Sequence, residues 1–275
     1  MNKNNRFKFI NSAKSENITV LDATMSDFSY SKHAHEEYSL GVTLQGRQDF
    51  FCQNSFHKSA SGNVLLFNPE DVHDGHSGGE QALKYKMLYI HPDEFHPLFK
   101  ALGYQKKSIL RLNQPIVDNP ILRHQILRLS STVQQPKYST IEFESGLFQI
   151  AQSLVAMSGS LELGTQNSKR IDMLLLRARD YILASLEHNI SINDIAQVAT
   201  MSKFHFIRQF RQQFGITPHQ YVLSCRVNLA RKIIESGKPL NQAAFEAGFA
   251  DESHLNRHFK RIYGLTPKRF QKQFP

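Results

Sequence analysis

Between residues 30 and 95 apolar side chains recur at every second position or in short runs. The stretch YSLGVTL (38–44) sets Tyr38, Leu40, Val42 and Leu44 on one face at period two, the repeat of a strand with one buried face. GNVLLF (62–67) and KYKMLYI (84–90) are short apolar runs, with Gly, Asn, Asp and Pro punctuating the segments between them. Short strands spaced in this way predict an all-β barrel or jelly roll.

From Asp118 to Met157 the period changes. Leu122, Ile126, Leu129 and Val133 stand at i, i+4, i+7 and i+11, and Phe143, Leu147, Ile150, Leu154 and Met157 continue at helical spacing beyond Pro136. Two helices with an a/d-like seam follow, at about 118–158. Such a seam serves a dimer interface or packs a helix pair onto its own barrel, and the period alone leaves both open.

GSLELGTQNSKR (159–170) is polar, Gly-containing and aperiodic, the composition of a linker. Beyond it the chain reads as nearly all helix. Leu174, Leu175, Ala178 and Ile182 form one stripe of a helix from Ile171 to about Leu186. Ser191 and Asp194 have capping-box spacing before a short helix, 192–199, and Ser202 stands at the start of another, 203–214. Two short helices joined by a tight turn are a helix-turn-helix.

The scheme then repeats. QQFGITPHQY (212–221) returns as RIYGLTPKRF (261–270), 49 residues on, and Leu255 and Phe259 take the places of Phe206 and Phe210 as core anchors. The second copy has a first helix at 240–247, a turn at Gly248–Phe249 and a second helix at 252–263. Each copy closes with Gly-x-Thr-Pro, in which Gly ends a helix and Thr-Pro starts the next. Between the copies, 218–236 is a helical rod of about 28 Å. Successive major grooves on one face of a duplex lie about 34 Å apart, so such a rod suits two helices that enter neighbouring grooves.

The expected architecture is a multidomain α+β protein. A β-barrel domain with a helical dimerisation region at about 118–158 occupies 1–160, a linker 161–170, and an all-α domain of two helix-turn-helix units joined by a long helix 171–275.

Charge sharpens this picture. The net charge is +9; residues 171–275 carry 15 Lys and Arg against 8 Asp and Glu, and the rest of the chain 18 against 16. The positive excess therefore lies in the helical half, where a polyanion would be met. Lys203, Phe204, Ile207, Arg208 and Arg211 face outward on the first copy, and Ser253, Asn256 and Arg257 occupy the matching places on the second. A duplicated helical bundle without a DNA role would share the spacing but not these basic, partly apolar faces. Arg208 and Arg257 suit bidentate pairing with guanine, or a phosphate clamp. Lys203, Arg211, Lys260 and Lys268 suit phosphates. His254 either faces a base or caps its own helix.

No run approaches the roughly 18 apolar residues of a membrane span. The N-terminal residues lack a signal-peptide core, and the two cysteines, Cys52 and Cys225, show no disulfide or metal spacing. A cytoplasmic protein without membrane contact is expected.

The motifs IAQVATMS (195–202), FRQQFGITPHQYVLSCRVNLARKII (210–234) and AAFEAGFADESHLNRHFKRIYGLTP (243–267) resemble the DNA-binding domain of the AraC/XylS family of transcription regulators. The resemblance implies a regulator with two helix-turn-helix units, base-reading positions at Phe204, Ile207, Arg208, Ser253, Asn256 and Arg257, promoter DNA as partner, a homodimer, and RNA polymerase as a further partner for an activator. Two positions depart from it. Thr200 stands where Gly is usual in the first turn, and Gln271 where Arg is frequent.

The front half is similar to the cupin-type effector domain common in that family, through His33-Ala-His35, Gly46 and the run from Gly62 to His73. In metal cupins a Glu follows the two histidines, but Ser39 holds that position here. His33, His35 and His73 are the metal candidates if a metal is present. No metal or other cofactor is expected, and the leading expectation is a small polar effector such as an amino acid, sugar or small carboxylate. Tyr38, Gln48, Phe50 and Asp74 join the three histidines as lining candidates, by strand parity and nearness in sequence. No catalytic residues are assigned and no enzyme is expected. The competing readings are a cupin-type metal-dependent enzyme fused to a DNA-binding module and a regulator controlled by a protein partner.

Overall fold

The computed structural model describes residues 5–104, 109–161, 173–188 and 190–274. The chain divides into two compact units, one drawn mainly from residues up to 165 and the other mainly from those that follow. Most of the expected linker, from residue 162 on, lies outside the described residues. No helix among the described residues is long and apolar enough to cross a membrane.

The strands form two sheets. Strands β1 (Arg6–Asn11), β2 (Ile18–Met25), β9 (Leu83–Ile90), β4 (Tyr38–Gln45), β7 (Val64–Phe67) and β10 (Ile116–Val117) form the larger one in that order. Its neighbouring strands pair antiparallel. The smaller sheet runs β3 (Ser29–His33), β8 (His73–Ser77), β5 (Arg47–Cys52), β6 (Ser55–Ala60). Alternation along each strand splits the larger sheet into two working faces. Tyr38, Leu40 and Val42 point with Val20, Leu66 and Leu88 into an apolar core shared with helices α1 (Pro92–Ala101), α2 (Pro120–Val133) and α3 (Thr140–Leu161). The opposite face meets the smaller sheet. Phe67 packs edge-on against Phe50 at 5.2 Å between centroids, and the Thr43 and Ser59 hydroxyls bond at 2.8 Å.

β1, β2 and α1 lie outside the segments that periodicity marked. β1 is an edge strand with Arg6 and Lys8 exposed and Phe7 and Phe9 buried, a charged edge that resists pairing with another chain. The seam of α2 and α3 packs on the chain's own sheet. Leu122, Ile126, Leu129, Val133, Phe143, Leu147, Ile150 and Leu154 are all buried in the chain's own core.

The second unit is helical: α4 (Met173–Ala184), α5 (Ile192–Val198), α6 (Lys203–Phe214), α7 (Pro218–Glu235), α8 (Leu240–Glu246), α9 (Glu252–Tyr263) and α10 (Pro267–Gln271). The repeat is exact in its packing. Phe210 touches Phe206, Phe214 and Tyr221 in the first copy, with centroids 5.4, 4.4 and 5.5 Å away. At the same 49-residue offset Phe259 touches Tyr263 and Phe270 at 4.7 and 5.2 Å, and Leu255 replaces Phe206. Aromatic contacts at such separations contribute beyond their buried area.

Caps set the boundaries. The Ser191–Asp194 capping box forms, and so does a second between Thr217 and Gln220. Gly215 and Gly264 end α6 and α9 in the left-handed region, both at φ 78°. Ser202 is the N-cap residue of α6, yet its side chain makes no cap hydrogen bond.

The two turns differ in their demand on the backbone. Thr200 closes the first turn at φ 52° and Gly248 the second at φ 77°. A Cβ at Gly248 would overlap the Leu186 carbonyl oxygen and stand 2.9 Å from the Arg226 Nε. Thr200 is exposed and carries only the backbone strain. Left-handed backbone costs a non-Gly residue about 1–2 kcal/mol, partly offset by the freedom a glycine loses on folding. Thr200→Gly is expected to stabilise the protein by about 1 kcal/mol in urea unfolding. Gly248→Ala is expected to destabilise it by more than that, since it adds overlap to strain. A neutral Gly248→Ala would contradict this packing.

Candidate nucleic-acid interface and histidine cluster

The second helices of the two copies, α6 and α9, each bury one stripe and expose another. Phe206 and Phe210 fix α6, and Leu255 and Phe259 fix α9, all essentially inaccessible. On α6 this leaves Lys203, Phe204, Arg208 and Arg211 exposed and Ile207 half-buried. Phe204 is 82% exposed, an unusual setting for a phenyl ring on a monomeric surface. The Arg208 guanidinium lies 3.3 Å from His205 Nδ1. On α9, Ser253, Asn256, Arg257 and Lys260 are exposed, as is Lys268 on α10. Every position read from sequence on these helices except Ile207 and His254 is thus fully open to a partner.

His254 has two roles in the fold. Its backbone N–H donates to the Asp251 carboxylate at 2.7 Å, the N-cap bond of α9. Its ring packs on Phe249 at 5.3 Å and on His258 at 4.9 Å. His258, one turn further on and absent from the sequence reading, is pushed down to about 4, first by burial and then by His254, Arg261, Arg257 and His219. It is neutral at ordinary pH and extends the aromatic support of α9. The i, i+4 spacing of the two histidines was the available signal.

The histidine candidates of the front half of the chain are His33, His35 and His73. Each offers a ring nitrogen within 4.8 Å of the others, and all three are buried. His33 ends β3 and His73 begins β8, neighbours in the smaller sheet; His35 lies two residues past β3. The His33 and His73 rings sit 4.6 Å apart, and His35 packs edge-on against Tyr89 at 5.1 Å. The His33 Nδ1–H donates to the Ser31 carbonyl at 2.6 Å. Burial drives the His33 imidazole down to about 3. The nearby His73 pushes the same way, while the Ser31 carbonyl and half-buried Asp74 pull it up.

The remaining lining candidates divide by strand face. Gln48 and Phe50 are buried, and Phe50 stacks on His57 and meets Phe67 across the sheets. Gln48 Oε1 has no hydrogen-bond partner among the described residues. Tyr38 faces the helix layer instead, packed on Phe95 and Phe99 with its hydroxyl donated to the Leu110 carbonyl at 2.6 Å. Burial pushes its phenol far up. It stands on the opposite face of β4 from Ser39, whose hydroxyl is buried without a hydrogen-bond partner among the described residues.

The family described as AraC-like ligand binding domain matches residues 17–151, and that described as helix-turn-helix domain matches 195–273. The uncharacterized HTH-type transcriptional regulator YbfI of Bacillus subtilis (strain 168) is 28% identical over 228 residues, 82% of this chain and 81% of its own. The HTH-type transcriptional activator RhaS of Klebsiella pneumoniae (strain 342) is 22% identical over 257 residues, 90% of each chain. Among solved structures, unsaturated fatty acid bound ToxT from Vibrio cholerae shares the fold. Its TM-score is 0.62 at 15% identity, over 100% of this chain and 98% of that one. The chain belongs to the AraC family of DNA-binding transcriptional regulators, with an AraC-like ligand-binding domain ahead of its helix-turn-helix domain.

Proposed function

We propose that one copy of this regulator reads two neighbouring turns of promoter DNA, with α6 in one major groove and α9 in the next, and that a small polar effector in the front unit controls that reading. The observation that carries the DNA part is the repeat itself. Two helices with buried anchors at matching positions and outward cations at two matching positions, Arg208/Arg257 and Arg211/Lys260, flank one rod, α7, whose 18 residues span about 27 Å. Arg208 and Arg257 are the base-reading positions, and Lys203, Arg211, Lys260 and Lys268 hold phosphates. Phe204 and Ile207 offer apolar contact to thymine methyl groups.

Buried polar groups support the effector. Gln48 Oε1 carries the cost of burial without a bond, about 1–3 kcal/mol for such a group, and a ligand N–H or O–H would relieve it. The three buried histidines can donate or accept. Two copies would pair through the helical region at about 118–158, for example on the outer side of α3, where Ile141 and Phe148 are exposed. Effector binding would bias the arrangement of the DNA-binding units by no more than its differential affinity for the two states. Contact with RNA polymerase would make the same protein an activator.

Arg257→Ala is expected to cost about 1–3 kcal/mol at a selected operator and to relax base choice at one position, whereas Lys260→Ala weakens all sequences and lowers the salt slope by about 1. Equal loss on every sequence for Arg257→Ala would reassign it to a phosphate. For the effector, the full chain is melted with amino acids, sugars, small carboxylates and an unsaturated fatty acid. A ligand at 100 times its Kd adds about 2.7 kcal/mol. A selective upward shift with a polar compound is expected; a shift with the fatty acid alone would overturn the polar reading.

A further inference from the structure

We propose that a cleft between α1 and α3 binds an amphipathic organic cation, with the ammonium group held by Glu94 and the apolar body laid on Leu98, Leu147 and Phe148. This site is separate from the effector and DNA readings above and stands without either.

Shape is the first argument. The cleft encloses about 670 Å³, within the range of about 300–1,000 Å³ usual for small-molecule sites. All of its lining residues belong to one compact unit. Its floor is apolar: Leu147 is buried, Leu98 half-buried, and Phe148 39% exposed. The periodicity of α3 explains the open ring. The helix commits Phe143, Leu147, Ile150 and Leu154 to the core, and Phe148, one residue past Leu147, is turned about 100° away from that stripe.

Charge decides what the cleft takes. Glu94, in the first turn of α1, is half-buried. Its Oε1 accepts the Ser15 hydroxyl at 2.6 Å and the Asn17 side-chain amide at 3.1 Å. Both donors are neutral, so they fix the carboxylate in place and leave its charge uncompensated. Glu94 has no ion-pair partner among the described residues, and neither has Glu144, exposed on α3 at the same cleft.

A carboxylate set beside an apolar wall gives up part of its hydration. A cation that carries its own apolar surface neutralises the charge and covers the wall at once, and Phe148 offers such a cation its ring face. Lys14, exposed at the rim, is the opposing charge. Its flexible stem lets it swing into solvent, whereas Glu94 is anchored. Two carboxylates against one ammonium group disfavour an anionic ligand. Phe148 also lies on the outer side of α3, the surface proposed for pairing of two copies, so an occupied cleft opposes pairing there.

The test compares 4-phenylbutylamine, 4-phenylbutanol and 4-phenylbutyrate, one apolar body with three head groups, by isothermal titration calorimetry on the full chain at neutral pH. Saturable binding is expected for the amine, about fivefold tighter than for the alcohol, with the carboxylate weakest. Glu94→Gln keeps an acceptor for Ser15 and Asn17 and is expected to remove the amine's advantage over the alcohol. Lys14→Met is expected to tighten the amine. If circular dichroism shows that Glu94→Gln does not fold, Glu144→Gln and Lys14→Met, both at exposed positions, decide instead, with weaker and tighter amine binding expected in turn. An alcohol that binds as tightly as the amine, amine binding unchanged in folded Glu94→Gln, or no saturable binding of any of the three overturns the proposal. Dimerisation that is lost in Phe148→Ser, in a chain that binds no amine, assigns the cleft to a second copy and overturns it as well.

Discussion

Arg226 is the residue on which the order of the helical unit turns. From the middle of α7 its guanidinium donates to the Leu186 carbonyl at 3.0 Å and the His188 carbonyl at 2.8 Å, just beyond α4. Those carbonyls belong to a helix end, where backbone acceptors have no partner of their own, and a charged donor satisfies them better than a neutral one. Gly248, in the turn of the second copy, closes over the same guanidinium because it has no Cβ to keep it away. One side chain therefore ties the start of the first copy, the connecting helix and the turn of the second. Burial lowers the Arg226 pKa, yet no pH at which the protein is folded removes an arginine's charge.

From that fixed point α7 acts as a shared wall rather than a tether. Tyr221 and Val222 near its start belong to the first core, and Asn228 further along accepts the Tyr263 hydroxyl of the second at 2.8 Å. Arg231 lies over the Tyr263 ring, 5.8 Å from its centroid, a cation–π arrangement. With both cores built on one continuous helix, neither copy can turn without distorting the other. On the proposed reading, DNA held by one half sets a high effective concentration of the other half at the neighbouring groove.

The helical half was legible in sequence because its signals are local. Gly-x-Thr-Pro ends and restarts a helix within four residues, and α6 and α9 begin and end where the caps say. The front half depends on partners distant along the chain, which periodicity does not name. The seam of α2 and α3 read as a buried face, but only the fold shows that it is buried against the chain's own sheet. Parity grouped Tyr38 with Leu40 and Val42, yet whether that face meets helices or the second sheet depends on topology. The His33/His35 pair was visible as alternation. The approach of His73 rests on the pairing of β3 and β8, and the support that His258 gives α9 rests on a turn that folds back over it.

The most direct measurement of the central claim is binding of the full chain to its selected operator with base pairs inserted between the two contacted elements. B-form DNA completes a turn in about 10–10.5 base pairs. With both cores on one helix, affinity should fall sharply for an insertion of about 5 base pairs and stay low for one of about 10. That second insertion restores the face of the duplex but not the distance. Full recovery at the longer insertion would mean that the two elements are read by independently mobile modules, and would contradict the account of α7 as a rigid spacer.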